Sequence, residues 1–140
     1  MRIAFFALIA ICSLHSQAKA QPTPAFLNTD WPCWRGADLD GHADPEQQPP
    51  LAWSEENNIR WRCKIPGRGH SSPTILGNQV FLATADEQRQ VQLVLCFDRD
   101  SGKQNWEAIV HEGRLKTSGK KKANKKASLA SSTVATDGER

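Results

Sequence analysis

The stretch Leu95-Cys96-Phe97-Asp98-Arg99-Asp100-Ser101-Gly102-Lys103-Gln104-Asn105-Trp106 constrains this chain more than any other. Leu95 and Phe97 alternate with Cys96 and Asp98, the period of a strand. Asp98 then opens a turn: its carboxylate can accept hydrogen bonds from turn backbone N–H groups, and Gly102 can take φ > 0. A second strand follows and carries Trp106, whose large apolar surface needs another element to cover it. Leu93 to Phe97 is apolar at every position, which suits a sheet covered on both faces rather than one.

The flanking sequence reads as a series of hairpins. Ser72 to Leu76 is a short strand, Gly77-Asn78 a two-residue turn signal, and Val80 to Ala85 the next strand. Asp86 to Gln90 is a polar loop, Gln92 to Phe97 a third strand and Gln104 to Val110 a fourth. Upstream, Ile59-Arg60-Trp61-Arg62-Cys63-Lys64-Ile65 alternates and is expected to be a strand. Pro66-Gly67-Arg68-Gly69-His70 links it to the first hairpin.

An internal repeat runs through this region. Ser71-Ser72-Pro73-Thr74-Ile75 precedes Gly77-Asn78, and Ser131-Ser132-Thr133-Val134-Ala135 precedes Asp137-Gly138, 60 residues later. Trp61 and Trp106 are 45 residues apart. The difference of 15 residues is a Lys-rich stretch, so the basic run reads as an insertion between two repeats of ordinary length.

The turn resembles the repeat signature of the pyrroloquinoline-quinone (PQQ)-like β-propellers, a pattern close to L-D-x-x-T-G-x-x-x-W. Phe97-Asp98 stands at the L-D, Ser101-Gly102 at the T-G, and Trp106 at the W. Asp30-Trp31-Pro32-Cys33-Trp34-Arg35-Gly36, followed by Asp40-Gly41, is similar to the entry segment of many secreted members. The resemblance covers about residues 31–140 and rests on blade-building residues. It implies an all-β fold, a β-propeller of four-stranded antiparallel blades. One complete blade is expected at about 71–110, a Lys-rich inter-blade loop at about 112–128, and the start of a next blade at 131–140. Trp61 would close a preceding blade. Propellers close with 4 to 8 blades, so the chain reads as an N-terminal fragment of one. A buried Trp is worth on the order of 4–6 kcal/mol gross, much of it lost without neighbouring blades. The fragment by itself is therefore expected to be marginal, with exposed strand edges.

Met1 to Ala20 reads as a secretory signal: Arg2, an apolar run from Ile3 to Leu14, and Ala18-Lys19-Ala20 at the A-x-A site. The run is too short to span a bilayer, and Ile11 before Cys12 is unsuited to a lipoprotein signal. Export to the periplasm or cell exterior is expected, with 21–58 as an entry segment and 59–140 as the partial propeller. The net charge of +3 hides an asymmetry. Arg114 to Lys126 holds seven basic residues; the rest of the mature chain holds nine, against 14 acids when Glu112 is counted with the basic run. A dedicated nucleic-acid domain would be evenly basic. Lys120, Lys121, Lys122, Lys125 and Lys126 suit an anionic surface or a solvated loop, and no aromatic lies among them for base stacking.

Candidate chemistry is sparse. In the resembled family, loops entering the first strand of a blade can face a central channel, which would let Arg68 and His70 touch an anionic ligand or cofactor; the alternative is a Gly-flanked surface turn. Asp38-Leu39-Asp40-Gly41 with Asp44 lacks the third ligand and the Glu of an EF-hand and reads as a polar turn. No nucleophile elbow and no phosphate-binding Gly loop occurs. Cys33, Cys63 and Cys96 follow the signal, and a Cys33–Cys63 pair is left open. No catalytic and no metal-ligating residue is assigned. The PQQ-dependent dehydrogenases of the family share a vicinal Cys-Cys disulfide, a Ca²⁺ site and an Asp base, and this chain has no adjacent cysteines. The leading expectation is a binding or scaffold propeller with a protein or polymer partner on its face. The rival is a dehydrogenase using PQQ and Ca²⁺ on an alcohol or sugar, its active site mostly outside these residues.

Overall fold

The computed structural model describes residues 26–115 and 127–138. The expected signal at Met1 to Ala20 and Lys120, Lys121, Lys122, Lys125 and Lys126 lie outside the described residues. Those described form one four-stranded antiparallel sheet and no helix. Its strands are β1 (Thr74–Leu76), β2 (Gln79–Asp86), β3 (Val91–Asp98) and β4 (Gln104–Glu112), neighbours in chain order. Short polar turns between alternating apolar runs dictate this meander, because each turn returns the chain antiparallel to its predecessor. Gly77 at the first turn has φ +54°.

Residues opposite one another in a ladder share a face. The registers Val80↔Phe97, Leu82↔Leu95 and Thr84↔Leu93 therefore place these six together, with Ile109 opposite Leu93. The other face carries Phe81, Ala83 and Ala85, then Val94 and Cys96, then Trp106 opposite Cys96. One face is covered along its length and the other chiefly at its Ala85 end. Val91, Leu93, Leu95 and Phe97 form one buried cluster, packed by Cys63 and Ile65. Ala85, Leu115 and Ala130 form a second, packed by Ala83 and Leu129.

Ile59–Ile65 departs from the expected strand. Among the described residues it joins no ladder: it crosses over the face of the sheet, where side chains rather than backbone groups make the contact. Trp61 caps the Asp98–Gly102 turn, donating from Nε1 to the Arg99 carbonyl at 2.7 Å, while Arg60 pairs with Asp100 at 2.6 Å. Farther on, Arg68 and Ala85 exchange backbone hydrogen bonds (2.9 and 3.3 Å), so the chain entering β1 prolongs the β1 side of β2. From Arg68 to Thr74 the chain takes six steps against four from Ala85 to Phe81, and it bulges there, where Pro73 has no N–H to give.

The opposite flank is tied by the second copy of the repeat. His70 N–H donates to the Ala130 carbonyl at 2.8 Å, and the Thr74 hydroxyl donates to the Val134 carbonyl at 2.6 Å. Both pairs are 60 residues apart and ascend together, so the two copies run side by side in parallel. The entry segment is held at β1: Trp31 and Ile75 exchange two backbone hydrogen bonds of 2.9 Å. The buried Asp30 accepts from Leu27 N–H and Gly77 N–H, both at 2.8 Å.

Candidate functional site

The Pro66–His70 loop is shaped by close backbone approach. A Cβ at Gly67 would stand 2.0 Å from the Ala85 carbonyl oxygen, and one at Gly69 would stand 2.6 Å from that of Ala83. Only glycine fits at either position, which aims the intervening Arg68 and the following His70 outward. Arg68 Nη2 lies 3.5 Å from His70 Nε2, and both side chains are exposed. Beside them a recess of about 320 Å³ is lined by Ile65, Ser71, Leu82 and Thr84 among others. The structure thus brings the two candidate ligand residues together at the seam between β2 and the Ala130 segment. One cation and one imidazole beside a shallow recess can hold a small anion.

The Asp98 turn is fully bonded. Ser101 donates to Asp98 Oδ1 from its hydroxyl (2.6 Å) and its N–H (2.8 Å), and Asn78 Nδ2 donates to Oδ2 at 2.6 Å. These bonds, the Ser101 hydroxyl first, hold the Asp98 carboxyl below its ordinary value. Gly102 takes φ +70° there. Oδ1 of Asp98 is bonded within its own turn and Oδ2 to Asn78 of the β1–β2 turn, so the carboxylate ties the two turns together and its role is architectural.

Trp106 is 42% exposed, though its ring meets Phe81 at 5.9 Å between centroids, and the two roof Cys96 between them. Ile109 and Val110 of β4 are also exposed. The cover expected over Trp106 is therefore only partly supplied by the described residues. In the entry segment, a cleft of about 520 Å³ runs past Trp31, Asp38, Asp40 and Asp44. Asp40 accepts from His42 N–H at 2.8 Å and lies 3.2 Å from its Nδ1; the His42 backbone bond is the main cause of its lowered pKa. The Asp38–Asp44 stretch is thus a polar turn in its geometry. Cys33, Cys63 and Cys96 are free thiols, which answers the open pairing of the first two. Burial pushes the Cys96 thiol pKa up.

Thr74 and Thr84 carry weight that the sequence reading missed. Both are fully buried, on opposite faces, and each ties down one flank: Thr74 to Val134 and Thr84 to the Pro66 carbonyl at 2.7 Å. Their signal was a hydroxyl at a strand position whose neighbours are apolar. No described helix is long and apolar enough to cross a membrane. No protein-family model, curated protein or solved structure matches this chain.

Proposed function

We propose that the β1–β4 sheet is one blade of a secreted PQQ-like β-propeller that serves as a binding or scaffold domain. The observation that carries this reading is the parallel approach of the two repeat copies, at His70–Ala130 and Thr74–Val134. Units that repeat around an axis place equivalent innermost strands next to one another in parallel, whereas a fifth strand that merely continued the meander would pair with β4 and not lie beside β1. The seating of Trp61 on the Asp98–Gly102 turn supports it as well. The Arg68–His70 loop lies at the seam between the two copies, which makes it the favoured edge of a ligand-facing surface. The basic run is proposed to meet an anionic surface.

Titration with PQQ and Ca²⁺ tests the choice of function. The binding-domain reading expects no cofactor uptake and no dye reduction with an alcohol or sugar. Stoichiometric PQQ uptake with Ca²⁺-dependent dye reduction would overturn it in favour of a quinoprotein dehydrogenase.

A further inference from the structure

We infer that the seam carrying Arg68 and His70 is a docking site for a linear polyanion, with Arg114 as its third resident contact. The inference rests on the binding-domain reading above and deepens it. In the sequence the Arg68–His70 loop and the basic run are unconnected candidates. The fold brings them to one place. The run leaves the described residues at Leu115, and the chain returns at Ala127. Leu115 is buried with Ala85 and Ala130 in one cluster, and Leu129 packs against it. Arg68 exchanges backbone hydrogen bonds with that same Ala85, and His70 N–H donates to the carbonyl of that same Ala130. Gln92 holds the returning chain as well, donating from Nε2 to the Leu129 carbonyl. Both ends of the basic excursion are therefore pinned where Arg68 and His70 stand.

Charge gathers at this seam. Arg68, His70 and Arg114 are exposed there, Arg114 next to the buried Leu115. The rest of the run is tethered at both ends to the same point. Residues 116–126 therefore keep their charge within roughly 20 Å of it, half the length of a fully extended stretch. A tether of that kind holds the local concentration of positive charge high. Asp86, Glu87 and Glu112 set three charges against the eight of Arg68 and the seven basic residues of the run. The Asp86 carboxylate is bonded to the N–H groups of Gln88 and Arg89 in its own turn. A linear polyanion fits this surface better than the other anionic partners. Nucleic-acid bases would need an aromatic to stack on, and none lines the recess. A bilayer would need apolar side chains to insert beside the charges. Leu115 and Ala130 are buried, and the exposed large apolar residues among those described belong to the entry segment, Ile59 and β4. A flexible chain of anionic groups needs neither. It lies along the seam, paired with the Arg68 fork and drawn in by lysines acting as point charges.

Titration calorimetry of the full chain with long-chain polyphosphate tests this, with polygalacturonate as the carboxylate counterpart. The parent is expected to bind at least one of the two, more weakly as salt is raised. The tighter polymer names the charged group. The double variant Arg68→Gln/His70→Gln is expected to bind that polymer about tenfold more weakly, the scale of two exposed ionic contacts. Arg68→Lys keeps the charge and is expected to recover part of the loss. The backbone bonds of Arg68 and His70 do not depend on their side chains, and β-sheet circular dichroism checks that the fold is kept. Arg114→Gln, outside every strand, replaces the double variant if it is not. Unchanged affinity in the folded variant would overturn the site and leave the lysines to act alone. So would a parent that binds neither polymer at low salt, or one that binds phosphatidylglycerol vesicles or single-stranded DNA more tightly than both. None of these results touches the PQQ titration, so the inference can fail while the binding-domain reading stands.

Discussion

Trp61 lies directly on Gly102: a Cβ at Gly102 would come within 2.4 Å of the indole Cδ2. The glycine does two things there. It takes φ +70°, which side chains resist, and it leaves the gap the indole fills. Gly102→Ala is therefore expected to destabilise the fold by about 2–4 kcal/mol, combining left-handed strain with overpacking. Urea denaturation followed by Trp fluorescence measures it, and a change under about 0.5 kcal/mol, the size of an ordinary surface substitution, would contradict the contact.

The Asp98 carboxyl should titrate below an ordinary aspartate, because Ser101 and Asn78 bond its charged form. The sign follows by linkage: a depressed folded pKa stabilises the fold above the unfolded value, near pH 4. That contribution is lost as pH falls through the folded pKa. An NMR titration of the Asp98 carboxyl should show a midpoint below that of a model peptide. Ser101→Ala should move it back up; an unmoved midpoint would separate the turn geometry from the charge.

Thr74 and Thr84 are buried donors on opposite faces, each to a carbonyl of a different flank. Thr74→Val and Thr84→Val keep shape and lose the donor, so each is expected to cost about 1–2 kcal/mol. With no shared partner, the two losses should add to within about 0.5 kcal/mol in the double variant. A strongly non-additive result would mean that the two flanks communicate through the sheet.

Cys96 lies under Phe81 and Trp106 with its thiol pKa raised by burial. At neutral pH an alkylating reagent should label Cys33 and Cys63 before Cys96, since the thiolate is the reactive form. Trp106→Ala removes half of the roof and should speed labelling of Cys96 severalfold while leaving Cys33 unchanged. Equal rates at Cys33, Cys63 and Cys96 in the parent protein would contradict the burial.

The hairpins were legible because their signals are local. Alternation in Val80 to Ala85, Gly77-Asn78 at the turn, and Asp98 through Gly102 each act within a few residues. The cover of β3 was legible for the same reason, as an unbroken apolar run, though one of its faces is covered chiefly at the Ala85 end. Ile59–Ile65 misled because alternation reports which side chains meet a core and not whether the backbone joins a ladder. Cys63 and Ile65 do meet the core, from above it. The roles of Thr74 and Thr84 depend on carbonyls 60 and 18 residues away, beyond any local pattern. Arg68 and His70 stood out only through the family resemblance of the loop that enters β1; the close approach of Gly67 and Gly69 to the Ala85 and Ala83 carbonyls explains the glycines beside them.

The central claim is that the two Ser-Ser copies lie side by side in parallel, as repeating units around an axis do. Spin-label distances across four residue pairs test it: 70–130, 74–134, 70–134 and 74–130. The parallel arrangement predicts that both direct separations are shorter than both crossed ones, since four residues of rise, roughly 13 Å, offset the crossed pairs along the chain. Short crossed distances with long direct ones would mean an antiparallel hairpin-like return and would contradict the account.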